Sequence, residues 1–315
     1  MSSYFSKQKN IISLGIVSAI ILTGIILYQV ILPDKRSSKQ EKAISIMEEM
    51  LYTVSEYCAK NDIYIDTIND PEKTGLIGPE WTDMTTTIGH LEAKRTAIQP
   101  EFASLMIELL EEAGVKKNDT IAIGCSGSFP GLLLASLSAA KAAGIKCKTV
   151  LSLGASSFGA NRIDFNILTI CNLLYNSGLI DSPPLAVSLG GENDSGDGWE
   201  TDIYNKLSEF IVKSGYIFIN KPNLKESVSL RDSLYGFDKG IIKAFINSGG
   251  AIANIGTSST ILSLKPGLVR KHKIPGPDQQ GSIHRAMIND IPVIHLLNIK
   301  GLAMEYGLKW DPVIR

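Results

Sequence analysis

The sequence predicts an α/β domain, a mainly parallel sheet with helices on both faces. Short apolar segments alternate with helical segments from about residue 101 to residue 306, the order that right-handed βαβ units produce. The apolar segments lack period-two alternation, which is typical of strands covered on both faces. Together these observations indicate a Rossmann-like sheet.

The first elements precede the sheet. An amphipathic helix is predicted over residues 39–60, where apolar residues recur at helical spacing. Residues 61–90 are rich in turn residues and predict irregular structure. A second helix is expected over residues 101–113, because Pro100 stands at its start and Gly114 at its end.

Six strands then alternate with helices. The strands are predicted at residues 120–123, 148–153, 185–189, 216–220, 251–255 and 291–297. Helices are predicted at LLLASLSAAKAAG, through ILTICNLLYNSG, near residues 201–214, near residues 225–248 and near residues 300–306.

Composition excludes several classes of protein. The chain has 315 residues with 31 Lys+Arg, 32 Asp+Glu and a formal net charge of -1. This balance excludes a disordered chain and a strongly basic nucleic-acid binder, so no nucleic-acid partner is expected. The four cysteines form no CxxC motif, which argues against structural zinc and favours buried thiols. No cofactor or metal is predicted.

A membrane segment is predicted near the N-terminus. Residues 11–32 contain no charge, and about 20 apolar residues suffice for a helix to cross a bilayer. Because the run is longer than a signal-peptide core and ends in Leu32-Pro33-Asp34, an uncleaved single-pass anchor is favoured. The predicted parts are a tail (1–10), the anchor (11–32) and a domain (33–315) with a possible sub-lobe at 216–315. Flanking lysines lean weakly toward a cytoplasmic domain, although long domains cross membranes despite nearby charge.

Polar loops after the predicted strands indicate a ligand site. They read GCSGSFPG, GASSFGAN, GGENDSGDG, GTSS and NIKG. Ligands of open α/β sheets bind outside the carboxyl ends of the strands, where glycine allows close approach. Ordinary turn chemistry is the alternative. The candidate ligand-binding residues in these loops are Gly127, Ser156, Asn161, Asp194 and Asn298.

The loop after the first strand could also hold a nucleophile. Ser126 follows a strand and precedes a helix, but position 128 is Ser where a nucleophile elbow has Gly. The order Ser126, Asp197, His295 matches nucleophile, acid and base in α/β-hydrolases. Ser126 or Ser128 is therefore a candidate nucleophile. Alternatively, these hydroxyls bind a ligand or cap the helix, and His295 is a core histidine.

Two other segments hold candidate residues. Thr85, Thr86 and Thr87 precede Lys94 and Arg95, which could pair with a carboxylate, unless this is a solvated helix face. The carboxylates of Glu192, Asp194 and Asp197 have the chemistry of a Mg²⁺ or Ca²⁺ site, but no EF-hand pattern is present. A solvated acidic loop is the favoured interpretation.

Several segments together resemble the poly-gamma-glutamate system protein family. They are TTTIGHLEAKRTAIQPEFASLMIELLEEAGV, GCSGSFPGLLLASLSAAKAAG, LSLGASSFGANRIDF, SLGGENDSGDG and VIHLLNIKGLAMEYGLKWDP. They occur in the family's order and cover about residues 40–313. The family accompanies the enzymes that make and export poly-gamma-glutamate capsule in bacteria, and it is anchored by one N-terminal helix. No catalytic residue is carried over from it.

The resemblance implies a pathway and a ligand. The polymer is a chain of carboxylates and amides, which a crevice with Lys94, Arg95 and Arg162 would suit. The implied partners are this polymer or the membrane synthase complex, and the implied domain location is the cell surface, outside the cytoplasm. The first expectation is an accessory protein that binds the polymer or the synthase. The alternative is a serine hydrolase or transferase on the polymer or a related amide, with Ser126 or Ser128 and His295.

Overall fold

A seven-stranded sheet organises the domain. The computed structural model describes residues 17–19, 23 and 36–312. The strands of the two sheets are β1 (Thr85–Thr87), β2 (Thr120–Ser126), β3 (Lys146–Ser152), β4 (Ala155–Ser156), β5 (Ala186–Ser188), β6 (Ile217–Ile219), β7 (Ile242–Ser248), β8 (Gly267–Val269) and β9 (Val293–Leu296). The sheet has the order β6-β5-β3-β2-β7-β9-β8, and all neighbours are parallel except β8 and β9. The predicted mainly parallel α/β architecture is confirmed.

Helices cover both faces of this sheet. They are α1 (Ser38–Lys60), α2 (Leu91–Ala97), α3 (Glu101–Glu112), α4 (Pro130–Ala143), α5 (Ile167–Asn176), α6 (Thr201–Ser214), α7 (Leu224–Tyr235), α8 (Ile252–Ile255), α9 (Ser282–Ile288) and α10 (Ile299–Glu305). Helix α4 is buried along most of its length between α1, α3 and the sheet. Residues of α7 and α9 pack with the opposite face, against side chains such as Ala122 and Phe245.

A second, smaller sheet brings distant segments together. Strand β1 pairs in parallel with β4, with Thr85 opposite Ala155 and Thr87 opposite Ser156. Because β4 follows β3 directly, this pairing holds residues 85–87 at the carboxyl end of the main sheet. Helix α2, which begins four residues after β1, is placed at the same end.

Two predicted elements are wrong. The helix predicted near residues 225–248 ends at Tyr235, since Gly236 and Gly240 adopt left-handed backbone conformations (φ 75° and 66°). The apolar run that follows forms β7, in the centre of the sheet. The strand predicted at 251–255 is instead helix α8, so the GTSS loop follows a helix. The antiparallel edge strand β8 was not predicted.

The predicted tail and membrane anchor lie outside the described residues, apart from 17–19 and 23. Within the described residues, no helix combines the length and the apolar character needed to span a bilayer. The described residues from 38 to 312 form one compact unit, and strands β6 to β9 belong to the same sheet as β2 and β3.

Candidate active site

A cleft of about 880 Å³ opens at the carboxyl ends of the parallel strands. After β2 the chain adds β3, β5 and β6 on one side of that strand. It then adds β7 on the other side of β2. The cleft is lined by the loops after β2, β3, β5, β7 and β9 and by residues of segment 85–93. This is the switch point of strand order where open α/β sheets bind ligands. The predicted location of the site therefore coincides with a cleft.

A buried lysine, Lys94, contacts the cleft-lining Ser156. Lys94 Nζ is 2.7 Å from Ser156 Oγ, and it also donates to the carbonyl oxygen of Ser128. The same nitrogen lies 3.8 Å from the centre of the Phe129 ring. Ser156, Ser128 and Phe129 line the cleft, whereas Lys94 is not among the lining residues. Lys94 thus reaches the cleft through the Ser156 hydroxyl.

Burial changes the acid–base chemistry of Lys94. The residue is 2% exposed, and no carboxylate forms a salt bridge with it in the described part of the chain. Desolvation disfavours the ammonium form and lowers the pKa of Lys94 to about 7. Near neutral pH a large fraction of Lys94 is therefore a neutral amine, able to accept a proton from a neighbouring hydroxyl.

Local backbone structure fixes this pair. Ser156 belongs to β4 and donates its backbone N–H to Ser128 Oγ at 3.0 Å. Gly89 packs so closely that a Cβ there would lie 3.0 Å from Ser156 Oγ and 2.5 Å from the carbonyl oxygen of Ser157. Only a residue without a side chain fits at position 89 in this arrangement.

Most residues predicted from the loops and from segment 85–87 do lie at the cleft. Ser126 is buried at the end of β2, and its Oγ is 3.4 Å from the backbone nitrogen of Ser128. Asn298 caps α10 by accepting from the Gly301 N–H at 2.9 Å. The predicted residues that line the cleft are Thr85, Thr86, Thr87, Ser126, Ser128, Ser156, Asp197 and Asn298.

Gly127 and Asn161 have structural contacts instead. Gly127 donates its N–H to the Ser152 carbonyl at 3.0 Å, and its own carbonyl accepts from the Ala160 N–H at 2.7 Å. Asn161 is fully buried and donates to the Pro79 carbonyl at 2.9 Å and to Thr85 Oγ1 at 3.0 Å. These contacts hold segment 79–85 against the loop that follows β4.

His295 contacts a neighbouring asparagine, not the predicted serines. Its Nδ1 is 3.1 Å from Asn247 Nδ2 on the neighbouring strand, and it is not among the residues that line the cleft. Burial lowers the pKa of His295 to about 4. Among the hydrogen bonds of residues 36–312, none joins His295 to Ser126 or Ser128. Asp197 is exposed and accepts from Asn193 and Ser195.

The predicted cations other than Lys94 are engaged or lie elsewhere. Arg95 Nε and Nη2 bind Asp311 through both carboxylate oxygens, at 2.5 and 2.9 Å. This hydrogen-bonded pairing raises the pKa of Arg95. Arg162 is not among the cleft-lining residues. Of the described residues that line the cleft, Lys300 is the single lysine or arginine, and the lining carboxylates are Glu92, Glu192 and Asp197.

Asp194 belongs to a buried ion pair that sequence reasoning missed. Its carboxylate is 2.8 Å from Arg231 Nη2 on α7, and both side chains are at most 1% exposed. Serines from β3, β5 and α7 complete the network, namely Ser152, Ser188 and Ser227. Asp194 therefore holds the glycine-rich loop 190–198, which lines the cleft, against the ends of β3 and β5. Arg231 gave no signal in the sequence, because it lies within a predicted helix and outside the polar loops.

Comparison of the chain with models of protein families, with curated proteins and with solved structures gave no match.

Proposed function

We propose that the protein is a serine acyl-transfer enzyme, a hydrolase or transferase acting on an amide bond, with Ser156 as nucleophile and Lys94 as general base. The observation that supports this most strongly is the 2.7 Å contact between Lys94 Nζ and the cleft-lining Ser156 Oγ. A nucleophile within hydrogen-bond reach of a base of matched pKa is the arrangement that such catalysis requires.

The chemistry follows from these two groups. As the Ser156 oxygen bonds to the amide carbonyl carbon, its proton passes to Lys94. When the carbon–nitrogen bond breaks, Lys94 returns that proton to the leaving nitrogen, and an ester to Ser156 remains. Water or an amine then attacks the ester and regenerates Ser156. Helix α4 begins at Pro130, directly after the cleft-lining Ser128 and Phe129, so its positive dipole end favours the developing oxyanion.

For the substrate we propose poly-gamma-glutamate or a related amide, on the basis of the family resemblance. The first expectation was binding of the polymer or the synthase without chemistry. For the polymer it assumed a crevice of backbone N–H groups, hydroxyls and the cations Lys94, Arg95 and Arg162. The structure buries Lys94, pairs Arg95 with Asp311 and leaves Arg162 off the cleft lining. The cleft geometry accordingly supports catalysis better than it supports polymer binding alone. The Ser126 or Ser128 and His295 assignment is replaced in this proposal by Ser156 and Lys94.

The test is to incubate the full chain with purified poly-gamma-glutamate and to follow chain length by gel electrophoresis. We expect shortening or group transfer that Ser156→Ala and Lys94→Met each reduce by at least about 100-fold. Ser136→Ala is the matched control, because Ser136 is also buried but donates only to the Leu132 carbonyl within α4. Activity should rise with pH through about 7, as Lys94 loses its proton.

A second readout does not depend on the substrate. A fluorophosphonate probe should label the full chain at Ser156, and Lys94→Met should slow that labelling while Ser136→Ala leaves it unchanged. Labelling at Ser126 or Ser128 instead, lost in His295→Ala, would restore the assignment made from sequence. Unchanged turnover in Ser156→Ala would rule out Ser156 as the nucleophile.

A further inference from the structure

The edge of the sheet opposite the cleft, where the parallel strands begin, is rich in exposed cations. We call it the amino edge. Thr120 at the start of β2 lies beside Lys146 of β3 and Ile242 of β7, which establishes this edge. The exposed cations on and beside it are Lys116, Lys117, Lys146, Lys239, Lys243, Arg270 and Lys271. The carboxylates among them are fewer, namely Glu111, which pairs with Lys39, and Glu112, Asp119, Asp238 and Asp290.

Contacts between the loops show that these cations share one surface. The Asn118 N–H donates to the Gly144 carbonyl, and the Lys146 N–H donates to the Asp119 carbonyl, each at 2.8 Å. Arg270 donates to the Glu112 carbonyl at 2.5 Å, which joins the end of β8 to the end of α3. None of the seven cations forms a salt bridge within the described part of the chain.

The chain enters the domain at this same edge. Helix α1 begins at Ser38, and Lys39 pairs with Glu111 at the end of α3 at 2.7 Å. Only residues 33–37 separate Ser38 from the charge-free stretch 11–32. A chain of that length reaches at most about 20 Å. Any membrane that receives residues 11–32 is therefore within reach of the amino edge.

We propose that the amino edge rests on a bilayer surface that contains anionic phospholipid, and that the cleft consequently opens away from the membrane. Lysine and arginine near a bilayer are attracted by anionic headgroups, and the attraction is short-ranged because salt screens it. The surface charge and the entry point of the chain are independent observations, and both favour the same face. This inference does not depend on the chemistry proposed for the cleft.

The experiment uses the full chain in lipid nanodiscs, with a fluorophore attached at Lys117→Cys on the amino edge or at Asn193→Cys near the cleft. Both positions are exposed, whereas the native thiols are buried or half-buried. Headgroup-bound nitroxide lipids serve as the quencher. In discs with anionic phospholipid we expect strong quenching at position 117 and weak quenching at position 193. Zwitterionic discs or high salt should reduce quenching at position 117 by about half or more.

Charge reversal provides the matched control. The combination Lys146→Glu, Lys243→Glu and Lys271→Glu should lower quenching at position 117 to its zwitterionic value. The combination Lys60→Glu, Lys206→Glu and Lys225→Glu changes the same charge on outer helices and should leave it unchanged. Equal quenching at both labels, or quenching independent of lipid charge, would overturn the proposal. A position-117 label that responds to added polyglutamate but not to lipid charge would also overturn it, and would assign the edge to a polyanionic chain.

Discussion

The carboxyl end of the sheet buries three charged side chains, whereas the lysines of the amino edge are exposed. At the carboxyl end, Lys94, Asp194 and Arg231 are almost completely buried. At the amino edge, Lys146 and Lys243 are exposed and form no salt bridge among the described residues. A charge removed from water must be paired or must shift its pKa, whereas an exposed charge keeps its hydration and acts mainly through long-range attraction. This difference is what the two proposals require, chemistry at one end and surface attraction at the other.

The largest effect is expected at the buried ion pair. Arg231→Met should destabilise the fold by about 3–5 kcal/mol, because it leaves the Asp194 carboxylate buried without its partner. Lys225→Met, which breaks the exposed pair with Asp278, should change stability little. Urea unfolding of both variants measures this difference. Similar losses in the two would show that burial does not distinguish these pairs.

The next effect concerns the pH dependence of stability. The pKa of Lys94 is lowered to about 7 in the fold and lies near 10.5 in the unfolded chain. Between these values the unfolded state binds more protons, so this group makes stability rise with pH, by up to about 1.4 kcal/mol per pH unit. Unfolding free energies of the wild type and Lys94→Met should therefore diverge between pH 7.5 and 9.5. Parallel curves would mean that Lys94 keeps an ordinary pKa.

A smaller effect is expected from the close approach at Gly89. Gly89→Ala places a methyl group against Ser157 O and Ser156 Oγ, which should displace the hydroxyl and reduce turnover or probe labelling by about 10- to 100-fold. Gly276→Ala is the control, since a Cβ there meets nothing within 4 Å. The check is the rate of probe labelling in the two variants. Equal rates would show that segment 85–93 can shift to accommodate the added methyl group without displacing the Ser156 hydroxyl.

The smallest effect should come from the amino edge. Lys146→Gln and Lys243→Gln remove exposed charges, so each should change the free energy of unfolding by less than about 0.5 kcal/mol. Denaturant unfolding in solution checks this. A loss above 1 kcal/mol would indicate a structural role for these lysines and would weaken the contrast between the two ends.

Local patterns were sufficient for five of the seven strands of the main sheet and for the edge at which the cleft lies. Apolar runs predicted β2, β3, β5, β6 and β9, and the polar loops after them predicted which edge holds the site. They failed at β7, whose sequence between two glycines was assigned to a helix. That error arose because a short apolar segment fits a buried strand and a helix equally well.

The site chemistry depended on contacts that no local pattern encodes. Lys94 and Ser156 were both named from sequence, but as separate ligand-binding residues. They are 62 positions apart, and the β1–β4 pairing that joins them comprises only a few residues. The burial that lowers the pKa of Lys94 arises from this tertiary arrangement. The ion pair between Asp194 and Arg231 could not be predicted for the same reason.

Helix α2 is fastened to residues near the other end of the sequence. Besides the Arg95–Asp311 ion pair, Gln99 donates to the Lys309 carbonyl at 2.7 Å, and the Asp311 N–H donates to Thr96 Oγ1 at 2.9 Å. Residues 309–312 are exposed or half-buried, and such segments open locally more often than the core does. Each such opening would release the helix that bears Lys94. Amide hydrogen exchange in α2 should therefore accelerate when Asp311 is replaced by Ala. The contacts of residues 309 and 311 would then limit how often the helix that bears Lys94 opens.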